Sequence, residues 1–294
     1  VIDRLAYWHF NPREWLKKAA LLNNVYLLNN PFTFQSMEKH TAYCAMMRLG
    51  LNIPETWLIP PKDGPDTEKY RVTAANYHDL FDLKEIAEKI KRIFQESRTI
   101  SMYASINNIK AKSDHELIEL RNLGINDLYV GVESGWNEVL ERINKGHTMA
   151  EARHQLDRLN RAGINHIANL MLGVAGIGNG LENARLTAEF LNQTHPSLIW
   201  VGTLAIFEGT ALHTEMAQGS FIPATELEIL DEEKALIDAI DLDNVRFYGV
   251  HPTNTVRISG RLPQDKQRMI ATIDEGIKKF GEKTLATAFA RTSL

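Results

Sequence analysis

Glu133 stands at the end of the apolar run DLYVGVE, residues 127–133. A carboxylate there can accept hydrogen bonds from ribose hydroxyls or from an amino group. It can equally be an acid at the start of the next helix, where the macrodipole favours negative charge. Gly173, Gly176, Gly178 and Gly180 lie between an apolar run and a helical pattern. Backbone amides of such a loop can cradle a phosphate. The spacing departs from G-x-G-x-x-G, because Leu181 stands where the third glycine belongs, and no G-K-S/T follows. A flexible strand-to-helix turn that lets a ligand approach the backbone fits the same residues. The ten histidines include no H-E-x-x-H: His147 and His154 are seven apart, His195 precedes a proline and His251 closes an apolar run. No metal ligand set is assigned. Cys44 and His40 are four apart in a helical pattern and can touch, although an apolar helical cysteine is ordinarily core. No catalytic residue is assigned.

The elements that must hold these groups are regular from about residue 98 onward. Apolar, β-rich runs cover 99–106, 127–133, 166–176, 198–207 and 245–251. Between them lie HELIELRNLG, NEVLERINKG, TMAEARHQLDRLNRAG, GLENARLTAEFLNQTHP and a pattern around 226–240, all helical in period. Gly124, Gly146 and Gly163 stand where these helices should stop. Continuous apolar strands alternating with helices predict a parallel sheet, wound in one direction as a barrel or part of one. The fold class expected is α/β: an incomplete parallel (β/α) barrel preceded by a small α/β segment. In such sheets chemistry gathers beyond the carboxyl ends of the strands.

Residues 1–92 read differently. Val25 to Leu28 form a short apolar run, Ser36 opens a helical pattern closed by Gly50, and LNIPETWLI begins an extended segment. KDGPD, 62–66, is a turn cluster, and DLKEIAEKIKRIF from Asp82 is an amphipathic helix.

With 33 basic and 37 acidic residues the net charge is −4, which excludes a general nucleic-acid binder steered by net charge. One cysteine excludes an intrachain disulfide scaffold and any site needing several thiolates from this chain. No apolar run approaches the ~20 residues of a membrane span, and no signal peptide opens the chain. Residue 1 is Val, so the start reads as trimmed, and the cytoplasm is the expected compartment.

Residues 100–164, then NLMLGVAG and LAIFEGTAL, resemble the later part of a radical S-adenosylmethionine (SAM) enzyme. The branch is that of oxygen-independent coproporphyrinogen oxidase, the methylthiotransferases and the Elongator-type enzymes. G-V-E-S-G-x-x-E-V-L-x-x-I-N-K-G is the most specific phrase, and the resemblance covers roughly residues 98–280. It implies a (β/α) barrel, SAM, and a [4Fe-4S] cluster held by C-x-x-x-C-x-x-C that reduces SAM to a 5′-deoxyadenosyl radical. By the same resemblance Tyr103 faces SAM, Glu133 contacts the cofactor and Lys145 pairs with its carboxylate. Asn169 replaces a ribose-binding residue, and Phe207 lies beside adenine. The departure is in the ligands: this chain has no C-x-x-x-C-x-x-C, and one cysteine cannot supply three thiolates. The family's first two strands also have no counterpart. Radical initiation by this chain alone is not expected, and whether it is an enzyme stays open.

LLNNPFTFQSMEKHTAYCAMMRLGLNIPETWLI is similar to the entry into ATP-grasp ligases of the glutathione-synthetase type, through Asn30-Pro31, Lys39, Gly50, Pro54 and Thr56. That family's lysine strand, glycine-rich lid and Mg²⁺-binding acids are not recognisable. The organisation expected is an ATP-grasp-like segment, 1–92, and a partial radical-SAM-like barrel, 93–294. The first reading is a radical-SAM-like protein that keeps a SAM or nucleoside pocket. A non-catalytic scaffold or fusion of two partial domains, and an ATP-grasp ligase remnant, stand beside it. The strand TISMYASI would be left as an open edge that invites self-association unless an element of 1–92 covers it.

Overall fold

The computed structural model describes residues 80–93 and 98–291, which fall within one unit of the chain, Tyr77–Leu294. The ATP-grasp-like segment's motif residues, with His40 and Cys44, lie outside the described residues. Helix α1 (Leu80–Ile93) is followed by strand β1 (Ile100–Ala104), then α2 (Ile106–Lys110), α3 (Asp114–Asn122) and β2 (Ile125–Glu133). Next come α4 (Asn137–Arg142), α5 (Met149–Ala162), β3 (Asn165–Leu172), α6 (Gly180–Thr194) and β4 (Leu198–Thr203). The chain continues with α7 (Ala211–Ala217), α8 (Glu226–Ala239), β5 (Val245–Gly249), β6 (Ile258–Leu262), α9 (Lys266–Phe280) and α10 (Glu282–Leu285).

The sheet has six strands in chain order, β1 to β6. The first five are parallel, and β6 returns antiparallel to β5. This is the partial, one-way-wound α/β sheet that the strand spacing implies. Three strands are shorter than the apolar runs suggest: 99–106 yields to α2 after Ser105, 166–176 turns at Gly173, and 198–207 ends at Thr203. The apolar residues beyond those ends pack in loops, so hydrophobicity alone overstates strand length. The sixth strand, ISGRL, was not expected: its glycine and arginine break the apolar pattern, and only pairing with β5 makes it a strand.

Helix starts are strongly specified. Ser113 with Glu116, Thr148 with Glu151 and Thr225 with Glu228 each close a reciprocal capping box. Gly163, at φ 75°, caps α5 in the left-handed region that glycine adopts most easily. Gly146 does not end its helix. α4 stops at Arg142, and Asn144 takes the first left-handed step at φ 53°.

One apolar core lies between the helices and one face of the sheet. Leu128, Val130 and Val132 of β2, Ala168, Leu170 and Leu172 of β3, and Ile199 and Val201 of β4 all point into it. They meet Leu156 and Leu159 of α5, Leu191 of α6 and Leu236 and Ile237 of α8, and Leu83 of α1 joins the same cluster. Side chains alternate along a strand, so the intervening residues face the other way. Tyr103, Tyr129, Asn169, Trp200 and Tyr248 therefore share the open face.

The turn after β2 is pressed against α6. A Cβ at Gly135 would lie 2.4 Å from Thr187 Cα and 2.5 Å from the Leu186 carbonyl oxygen. The Gly135 amide also donates to Thr187 Oγ1 at 2.8 Å. Gly135→Ala is expected to cost about 1–3 kcal/mol, because the obstruction is backbone and cannot rotate away. Thermal melts check this; an unchanged midpoint would mean that α6 can withdraw from the end of β2.

Candidate functional site

The carboxyl ends of β2 and β3 bring three of the sequence-selected residues to one place. β2 is irregular between Gly131 and Glu133, and Glu133 has φ 63°, an uncommon conformation for a residue with a side chain. Lys145 donates from Nζ to Glu133 Oε1 at 3.0 Å, and both side chains are half-buried. The pair lies over Gly131: a Cβ there would stand 2.6 Å from Glu133 Oε1 and 2.9 Å from Lys145 Nζ. Glu133 is therefore no helix-start acid, since α4 begins only at Asn137 and its charge is matched by Lys145. Oε2 of Glu133 makes no hydrogen bond among the described residues.

Asn169 is the register partner of Gly131 on the next strand. Its Oδ1 is buried and has no hydrogen-bond partner among the described residues. A buried acceptor left unpaired costs free energy that a bound donor would recover. His147 Nε2 is likewise buried without a partner, while its Nδ1 lies 3.2 Å from the Lys145 carbonyl oxygen. Asn107 Nδ2, just beyond β1, donates to the Gly146 carbonyl oxygen at 3.4 Å and ties the Lys145 segment to the first strand.

Across the open face runs an aromatic row. The Tyr103 and Tyr129 ring centroids are 5.3 Å apart, Tyr129 and Trp200 5.5 Å, and Trp200 and Tyr248 5.6 Å. Such pairs contribute ~0.5–1.5 kcal/mol each beyond their burial. Tyr103 is 73 % exposed and Tyr248 42 % exposed, so the row presents its ends to solvent. Tyr129, Trp200 and Tyr248 escaped the sequence reading because nothing in their spacing along the chain shows that they are neighbours. Phe207 is not gathered with the others. It lies in the loop after β4, where its carbonyl oxygen accepts from Thr210, and no described contact joins it to Glu133, Lys145 or Asn169.

The glycine loop is not a free phosphate cradle. The Gly173 amide donates to Glu232 Oε2 at 2.9 Å and the Gly178 amide to Glu228 Oε1 at 2.8 Å. Two carboxylates of α8 thus occupy the place an anion would take. The loop's glycines serve the turn itself: Gly173, Gly176 and Gly178 all have φ between 74° and 79°.

Glu232 is the centre of a buried chain of hydrogen bonds. Its Oε1 accepts from Asn183 Nδ2 at 2.7 Å, and Ser134 Oγ donates to Asn183 Oδ1 at 2.6 Å. Ser134 Oγ in turn accepts from the Trp136 amide at 3.0 Å. The chain joins α8, the loop after β3, α6 and the turn after Glu133. Burial pushes the Glu232 carboxyl up to about 7 and that of its neighbour Glu233, which Glu232 also repels, up to about 8. Glu233 Oε1 has no partner among the described residues. Beyond β4, an apolar cavity of about 400 Å³ is lined by Leu204, Ile206, Met216, Ile229 and Phe289. Its last wall is held by Arg291, which forks onto the buried Glu226 at 2.8 Å through both terminal nitrogens.

No group of three or more metal-binding side chains occurs among the described residues. No described helix is long and apolar enough to cross a membrane.

Residues 64–191 match the family model of the Radical SAM superfamily. That match covers 128 of the 294 residues of the chain. Over 120 residues, 40% of this chain and 22% of the relative, it is 25% identical to the tRNA uridine(34) acetyltransferase of Methanocaldococcus infernus. Over 172 residues, 58% of this chain and 43% of the relative, it is 26% identical to the heme chaperone HemW of Bacillus subtilis. The structure of M. infernus Elp3 lacking residues 1–46 aligns with 70% of this chain and 50% of its own at a TM-score of 0.51 and 17% identity, a likeness of fold. The chain thus spans less than half the length of these curated relatives. The open face and the strand ends described above are the candidate site.

The raised carboxyls set a pH dependence. A carboxyl whose folded pKa exceeds its unfolded value holds its proton more tightly when folded. Its stabilising contribution is full below about 4.5 and is lost as pH rises through about 7 to 8. Glu233→Gln is expected to be close to wild type at pH 5 and more stable by on the order of 1–3 kcal/mol at pH 9. Denaturant unfolding at both pH values checks it; equal losses at the two would mean that Glu233 is not protonated in the fold.

Proposed function

We propose that the described unit is a radical SAM domain and binds the nucleoside part of SAM at the carboxyl-terminal halves of β2 and β3. Glu133, Lys145 and Asn169 are its polar contacts, and Tyr103 is its aromatic neighbour on the open face. The observation that carries this reading is the buried, unpartnered Oδ1 of Asn169 beside the Glu133–Lys145 pair over Gly131. A ribose hydroxyl or an exocyclic amine would supply the donors that Asn169 Oδ1 and Glu133 Oε2 lack. Lys145 is the cation for the ligand's carboxylate, although Glu133 competes for it.

The donor set does not fit the family's [4Fe-4S] cluster. Cys44 is the only cysteine of the chain, and the cluster takes three thiolates. We therefore assign no radical chemistry to this chain by itself, and SAM here is a ligand rather than a reagent.

Calorimetry with S-adenosylhomocysteine tests the pocket. A Kd between about ten micromolar and one millimolar is expected, the latter being ~4 kcal/mol. Glu133→Gln, checked for folding by circular dichroism, should weaken it about tenfold, the worth of a hydrogen bond to a charged acceptor. Unchanged binding in that variant would remove Glu133 from the site. Anaerobic treatment with iron and sulfide should give no stoichiometric cluster and no 5′-deoxyadenosine. A cluster signal that disappears in Cys44→Ala would overturn the second statement and imply ligation shared between chains.

A further inference from the structure

The sheet is not paired evenly along its length. β4 and β5 pair over Leu198–Trp200 and Arg246–Tyr248 and then part. Asn254 fills the opening: its Nδ2 donates to the Val201 carbonyl oxygen at 3.1 Å and to the Gly249 carbonyl oxygen at 3.0 Å, and its Oδ1 accepts from Thr203 Oγ1 at 3.1 Å. Thr203, Thr253 and Asn254 are all buried. This plug leaves His251 against Gly202, whose absent Cβ would lie 3.6 Å from the imidazole Cγ and Nδ1. Gly202 follows Trp200 by two residues, so His251 lies on the same open face as the aromatic row.

The hydrogen bonds decide which ring nitrogen carries the proton. The Thr203 amide donates to Thr253 Oγ1 at 3.0 Å, so that hydroxyl turns its own hydrogen to Nδ1 of His251, 2.7 Å away. The Thr253 amide, which can only donate, also points at Nδ1, at 3.3 Å. Nδ1 is therefore an acceptor, and the neutral ring carries its hydrogen on Nε2. Nε2 has no partner among the described residues.

A cation stands next to it. Gly249 pairs with Ile258 in the antiparallel turnback, which sets Arg257 across from Val250, beside His251. Ile258 is buried, so Arg257 faces the other way, toward the open face, and it is exposed. It makes no ion pair among the described residues. Desolvation and the Arg257 charge both hold the His251 imidazole below its ordinary range, which keeps it neutral. The buried Glu226 is matched by Arg291.

We infer that His251 Nε2–H and the Arg257 guanidinium form a carboxylate subsite on the open face, for a ligand whose planar body rests against Trp200 and Tyr248. A carboxylate has an oxygen for each donor, and Arg257 supplies the charge that the neutral imidazole does not. The exposed Tyr248 ring and the half-buried Trp200 ring beside it favour a flat, apolar body. The subsite is separate from the Glu133–Lys145 pair and does not depend on SAM binding there.

Benzoate is the probe, with benzamide as its neutral counterpart. In protein labelled with ¹⁵N at histidine, long-range proton–nitrogen spectra should show Nδ1 of His251 unprotonated and Nε2 protonated at pH 7. Benzoate should shift those signals and the Trp200 indole signal, while benzamide binds at least fivefold more weakly. Arg257→Gln and His251→Phe should each weaken benzoate about tenfold, or ~1.4 kcal/mol. His251→Gln, which returns an N–H near the Nε2 position, should stay within about threefold of wild type. A hydrogen found on Nδ1, benzamide binding as tightly as benzoate, or His251→Phe and Arg257→Gln binding benzoate like wild type would each overturn the assignment.

Discussion

Every functional feature of this domain depends on the one-sided covering of its sheet. Five parallel strands in chain order need a crossover between each pair, and crossovers of a single hand lay their helices on one face. That face is closed by one continuous apolar core. The other face receives the alternate side chain of every strand and has no helix to bury it among the described residues. Tyr103, Tyr129, Asn169, Trp200 and Tyr248 are placed there by the two-residue repeat alone.

The strand ends are then given shape by buried polar groups rather than by apolar packing. Glu232, Asn183 and Ser134 link the turn after β2 to the loop after β3 through two helices. Thr203, Thr253 and Asn254 do the same where β4 and β5 part. A hydrogen bond has direction, which apolar contact lacks, so these two networks hold Glu133 and His251 in defined positions. Glu233 is the exception, a buried carboxyl with one oxygen unpaired, and it is the group whose ionisation the fold resists most.

The two ends of the open face differ in charge. At β2 and β3 the Lys145 cation is met by Glu133 and the unpaired group is an acceptor, Asn169 Oδ1. At β5 and β6 the Arg257 cation has no carboxylate among the described residues, and its neighbour is the proposed donor, His251. The aromatic row runs between them. A face with an acceptor at one end and positive donors at the other is suited to a ligand, or two ligands, of opposite polarity along its length.

The amino-acid sequence alone determined the strand and helix alternation, the parallel α/β class, and the placing of Glu133 at a strand end. Periodicity and capping are local properties, carried by residues within a few positions of each other. It also determined that three thiolates are not available, since that is a count. Only the tertiary structure decided that the glycine loop is filled by Glu228 and Glu232, which lie about fifty residues on. It alone joined Tyr129 to Trp200 and turned ISGRL into a strand. These outcomes depend on which segments meet across long loops, and pairing at such separations leaves no period in the chain. The tautomer of His251 is the clearest case: its proton is assigned by a threonine whose own hydroxyl is oriented by an amide fifty residues earlier.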